Sequence, residues 1–141
     1  MNRPDLEIIL GIDVGTVYVG LALGYPEKGI ASPLLIVDKN EAEVKILSII
    51  KERSIKMVVC GLPLHENGEE SPMSLKARKF SRRLAKRSDI EIVFVDEYAS
   101  SIDARENSVF SRKSSKERID DKAAAEILRR FFAKEGIVSY F

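Results

Sequence analysis

The stretch "EIILGIDVGTVYVGLALG", residues 7–24, constrains the fold more than any other part of the chain. Ile8, Ile9, Leu10 and Ile12 lead into Asp13, and Val14, Val17, Val19 and Leu21 follow it. A β-branched run ending at Gly15-Thr16 predicts a buried strand over residues 8–14. Alternation after that tight turn predicts a second strand over 17–24 and hence an N-terminal hairpin. An aspartate inside such a run is costly to bury unless it is paired, hydrogen-bonded or bound to a cation. Asp13 is therefore either a support for the turn at Gly15 or a ligand.

The rest of the chain reads as one α/β domain over residues 1–141. A turn at 25–29 leads to a third strand at 31–37. Residues 41–53 carry Val44, Ile46, Leu47, Ile49 and Ile50 on a helical period, with Asn40 as the expected N-cap. A short apolar strand at 57–60 is closed by "GLP", and "HENGEES" reads as a loop. A helix is expected over 72–87, a strand over 92–95, and helices over 101–110 and 115–133. Three strands followed by strands alternating with helices predict a mixed sheet of five strands flanked by helices.

At 141 residues, 45% hydrophobic and 32% charged, the composition is that of a globular protein with a real core. No apolar run approaches the ~20 residues of a membrane span, so no membrane partner is expected. The single cysteine, Cys60, allows no internal disulfide and fits a reducing, cytoplasmic setting. It is expected to pack at a strand end. His65, the only histidine, reads as a loop residue. The net charge of +1 conceals an asymmetry: residues 1–75 hold 7 basic and 11 acidic residues, and residues 76–141 hold 16 and 11. A basic second half suits a polyanionic partner.

Two further acidic positions join Asp13. Asp96 and Glu97 follow directly on the 92–95 strand, at the carboxyl end where ligands of parallel sheets gather. In "ERIDDKAAAEILRRFF", Ala123, Ala124, Ile127, Leu128 and Phe131 form an apolar stripe at 100° per residue. Asp120 falls within that stripe, and Asp121 lies about 100° round from it. Acids directed inward from three elements repel one another unless a cation sits among them. Hard divalent cations such as Mg²⁺ or Mn²⁺ favour oxygen ligands, and paired ions of this kind serve phosphodiester hydrolysis.

The segment "LKARKFSRRLAKRS" holds seven basic residues and no acid. Met73, Ala77, Phe80 and Leu84 make its apolar stripe. Lys76, Arg78, Lys79, Arg82, Arg83, Lys86 and Arg87 cover the other half of the wheel. Like charges crowded on one helix repel, and a phosphate backbone relieves that repulsion. Arg112 and Lys113, in "SRKSSKER", form a second basic stretch close to Asp120 in sequence.

"GIDVGTVYVGLALG", "VVCGLPLHENGEES", "KARKFSRRLAK", "VDEYASSIDAR" and "IDDKAAAEIL" together resemble the successive motifs of the YqgF family. That family is RuvC-like; its members are described as candidate Holliday-junction resolvases or as nucleases maturing the small-subunit ribosomal RNA precursor. The resemblance implies a ribonuclease H-like fold and a metal-dependent site of Asp13, Glu97 and Asp120. It implies precursor ribosomal RNA, ribosomal particles or branched DNA as partners, with the chain acting as a monomer or homodimer. The chain departs from the family pattern in two places. Val17 and Tyr18 stand where a basic residue is common, and Tyr98 replaces the arginine of an Asp-Glu-Arg element. These losses keep open a non-catalytic RNA-binding ribosome-assembly factor on the same fold. "GIDVGT" also resembles the first phosphate loop of actin-like ATPases, which need a second domain of similar size.

Overall fold

The computed structural model describes residues 7–97 and 121–140. The elements in chain order are β1 (Ile9–Val14), β2 (Tyr18–Tyr25), β3 (Ile30–Asp38), α1 (Lys39–Arg53), β4 (Met57–Leu62), α2 (Pro72–Arg87), β5 (Glu91–Asp96), α3 (Asp121–Phe132) and β6 (Ile137–Tyr140). They build one six-stranded sheet in the order β3-β2-β1-β4-β5-β6. β1, β4 and β5 are mutually parallel, whereas β2, β3 and β6 enter through antiparallel pairs.

This is the mixed sheet expected, with one strand more than the five read from sequence. The addition is β6, four residues that pair antiparallel with β5, Val95 facing Ile137 and Val93 facing Tyr140. So short a strand carries no periodic signal against the helix before it. Gly136, at φ +70°, is part of the turn into β6; a Cβ there would lie 2.6 Å from Arg130 Nη2.

β1 is central, and all six of its residues are buried. That explains its unbroken apolar character, because both faces are covered. Leu10, Ile12 and Val14 face one core with Val58, Cys60, Leu62 and Phe94, beneath α1 and α2. Ile9 faces the other core with Val59, Val93 and Val95, beneath α3. Gly11 belongs to the second face. A Cβ there would lie 2.6 Å from Leu128 Cγ and 2.9 Å from the Ala124 carbonyl oxygen. Glycine at 11 and alanine at 124 thus let α3 lie close on β1.

The helix boundaries follow local chemistry. α1 begins one residue after Asp38, whose carboxylate accepts the Asn40 backbone N–H at 2.9 Å. Asp38, not the expected Asn40, is therefore the N-cap: it has the extended backbone a cap requires. α2 spans the expected residues and opens on a reciprocal Ser71–Ser74 capping box with Pro72 in its first turn. The sequence-derived helix at 101–110, the first turn of the helix at 115–133, and Asp120, Arg112 and Lys113 lie outside the described residues. No helix among the described residues is long and apolar enough to cross a membrane.

Candidate acidic site and basic helix faces

The parallel strands β1, β4 and β5 end together, and the acids sit at those ends. Side chains alternate along a strand, so Asp13 shares the α3 face with Ile9 and Gly11. Its strand partner on β2 is Gly20. On the other side the β1–β4 register pairs Gly11 with Val59 and Ile12 with Cys60. Asp13 and Gly61 are the next residues along. The aspartate is 2% exposed and lies among small neighbours.

Of the two acids ending β5, the structure brings Glu97 to Asp13. Alternation along Val93 and Val95, both buried beneath α3, continues to residue 97 and carries Asp96 to the opposite face. The Glu97 N–H donates to the Leu62 carbonyl at 2.9 Å, extending the β4–β5 ladder by one residue. The side chain then folds back over β4. A Cβ on Gly61 would lie 2.7 Å from both Cγ and Oε2 of Glu97 and 2.5 Å from Ile127 Cδ1. Only a residue without a side chain leaves that passage open. Gly61 was not read from sequence as a site residue, although a glycine inside an apolar strand signals close approach of another group.

The two carboxyl groups are hydrogen-bonded to each other. Burial, the Asp13 charge, this hydrogen bond and the Asp96 charge, in that order, push the Glu97 carboxyl well above the ordinary carboxylate range. Two carboxyl groups that raise each other's cost of ionisation are a pair a divalent cation would relieve. Its donors are hard oxygens, the set Mg²⁺ and Mn²⁺ prefer. Among the described residues no group of three or more His, Cys, Asp or Glu comes together. Cys60 is on the far side of the sheet, buried, its thiol pushed up to about 12 by desolvation first. His65 is exposed in a turn closed by the Gly68 N–H on its carbonyl.

α2 buries Ala77, Phe80 and Leu84 as expected, together with Ser74 and Ser81. Its cations do not form one uniform face. Arg78 donates from Nε and Nη2 to Glu70 at 3.0 and 2.8 Å and stacks over Phe94, 5.0 Å from the ring centroid. Arg83 and Arg87 meet Glu43 of α1 at 3.3 and 3.0 Å. Lys76, Lys79, Arg82 and Lys86 are exposed, with no ion pair among the described residues.

A model of the RuvX family, described as Holliday junction resolvase, matches residues 7–134. The chain belongs to the RuvX family. This is the YqgF family that the motifs resemble. A RuvX relative from Methylobacillus flagellatus, named as a candidate pre-16S rRNA nuclease, is 35% identical, the match covering 93% of this chain and 92% of the relative. One from Edwardsiella ictaluri, with the same description, is 35% identical over 90% of this chain and 95% of the relative. Among solved structures, RuvC of T. thermophilus in complex with a Holliday junction substrate superposes with a TM-score of 0.59. It is 14% identical, and the match covers 91% of this chain and 94% of that one. The RuvX chain thus has the ribonuclease H-like fold that its motifs imply.

Proposed function

We propose that this protein is a divalent-metal-dependent nuclease that hydrolyses phosphodiester bonds in structured nucleic acid, with precursor small-subunit ribosomal RNA as the first candidate substrate. The observation that carries the reading is the Asp13–Glu97 carboxyl pair at the carboxyl ends of β1 and β5, with Asp13 buried and Glu97 partly buried. The relatives' description as candidate pre-16S rRNA nucleases favours RNA, while the family description keeps Holliday junctions as the second substrate to test.

Asp13 and Glu97 would hold Mg²⁺ or Mn²⁺, with Asp120 as a third ligand. The bound ions would supply an activated water and stabilise the leaving oxygen. The protein's own part is positioning. β1 fixes Asp13 through pairing on both sides, and Gly61 lets Glu97 reach it. Burial removes competing water from the Asp13 carboxylate. The cations of α2, and Arg112 and Lys113, would hold the phosphate backbone and set affinity without reading sequence.

Cleavage of matched precursor ribosomal RNA, single-stranded DNA and four-way junction substrates, with Mg²⁺ or Mn²⁺, tests the proposal. Asp13→Asn, Glu97→Gln and Asp120→Asn should each lose metal-dependent cutting while remaining folded. Wild-type rates in all three variants would overturn the acidic-site assignment. A folded wild type that binds RNA and never cuts it would leave a non-catalytic assembly factor.

A further inference from the structure

A cleft of about 280 Å³ opens between α1 and α2, lined by Lys39, Asn40, Glu43, Phe80 and Arg83. It lies beneath the face of the sheet opposite α3, yet at the same end as the acids. The Lys39 N–H donates to the Val17 carbonyl at 2.8 Å, in the turn that follows Asp13 on the way to β2. Phe80 belongs to the core, so the floor of the cleft is apolar and its walls are charged.

The charges are unbalanced. Lys39 and Arg83 line it from two helices, Arg87 joins Arg83 on Glu43, and Lys76 is near enough for its charge to act on Lys39. Glu43 faces the two arginines, and the Asp38 carboxylate is taken up with the Asn40 N–H at the helix cap. Lys39 is partly buried. Burial first, then the charges of Lys76 and Arg83, hold its ammonium below the usual range. A lysine kept partly out of water near two other cations gains from an anion.

We propose that Lys39 and Arg83, with Lys76 nearby on α2, make this cleft a site that takes a backbone phosphate of the nucleic acid, away from the bond to be cut. The cleft rests on the nucleic-acid reading above and extends it to a second face of the molecule. A strand crossing the carboxyl end of the sheet would pass from the Asp13–Glu97 pair, over the turn at Val17, and into the space between α1 and α2. Glu43 keeps Arg83 and Arg87 in place on the α2 wall, and Lys39 supplies the opposite wall. Lys39 was not among the basic residues singled out in the sequence, because the cations of α1 are interspersed with acids and form no basic run.

The test is binding of a labelled RNA hairpin with a single-stranded 5′ extension, titrated with salt in EDTA so that no strand is cut. Wild type, Lys39→Gln, Lys76→Gln and Lys51→Gln are compared. Lys51 lies in the last turn of α1, far from the cleft, and controls for a lost charge. Lys39→Gln and Lys76→Gln should each weaken binding and lower the slope of log affinity against log salt by about 1, whatever the RNA sequence. Lys51→Gln should leave the slope unchanged. If wild type binds and Lys39→Gln matches Lys51→Gln, the cleft is no phosphate site, while the nuclease reading stands. Failure of wild type to bind RNA at low salt would overturn the nucleic-acid reading and the cleft together.

Discussion

Glu97 reaches Asp13 by passing over Gly61, the one residue type on β4 that leaves room for its side chain. Three strands thereby make a single site: β1 supplies one acid, β5 leads to the other, and β4 supplies the gap between them. The arrangement brings a partly buried carboxyl group onto a buried one, a state that resists ionisation without a cation.

Gly61→Ala should displace Glu97. The added methyl would overlap Glu97 Cγ and Oε2 and Ile127 Cδ1, a forced overpacking that costs about 1–3 kcal/mol. Chemical denaturation should show that loss, and metal-dependent cleavage should fall much further than stability does. Normal cleavage from a Gly61→Ala protein would show that the passage over β4 is not needed.

The raised Glu97 carboxyl gives stability a pH dependence. An unfolded glutamate loses its proton near pH 4.3 or so, whereas native Glu97 keeps it to higher pH. Between those two values the native state binds more protons than the unfolded state, so stability falls as pH rises. Its contribution is fully present below the unfolded value and lost as pH rises through the native one. Melts in EDTA across this range should show the decline, and Glu97→Gln should flatten it.

Divalent metal should reverse that decline. Binding to the native state alone stabilises by mass action, so Mg²⁺ or Mn²⁺ should raise the melting temperature of wild type most at neutral pH. Asp13→Asn should exceed wild type in stability without metal, because one member of the repelling pair is neutral, and should lose most of the metal response. A larger response to Mg²⁺ with ATP than to Mg²⁺ alone would instead favour the nucleotide-binding reading of "GIDVGT".

The two kinds of cation on α2 should separate experimentally. Arg82→Glu with Lys86→Glu should weaken RNA binding for all sequences and flatten its salt dependence, with little change in stability. Arg78→Ala should cost about 1 kcal/mol of stability, since it removes a partly exposed ion pair with Glu70 and the stacking over Phe94. Equal effects of both changes on binding and on stability would return α2 to a single undivided basic face.

The sequence by itself determined the elements whose signals are local. The unbroken apolar run of β1, the stripe of α2 and the buried Ala124, Ile127 and Leu128 of α3 follow from periods of two and 3.6 residues. Asp13 was legible as a candidate for the same reason, being an acid where the pattern demands burial. The order of motifs was enough to place the chain in its family. Only the tertiary structure decided which groups meet. Whether Asp96 or Glu97 faces Asp13, and that Gly61 must be small, depend on β1, β4 and β5 lying side by side, although some 80 residues separate the two acids in the chain. The division of the α2 cations depends on Glu43 and Glu70, which arrive from outside that helix. Periodicity describes one face of one element, while a site is made where faces of several elements are packed together.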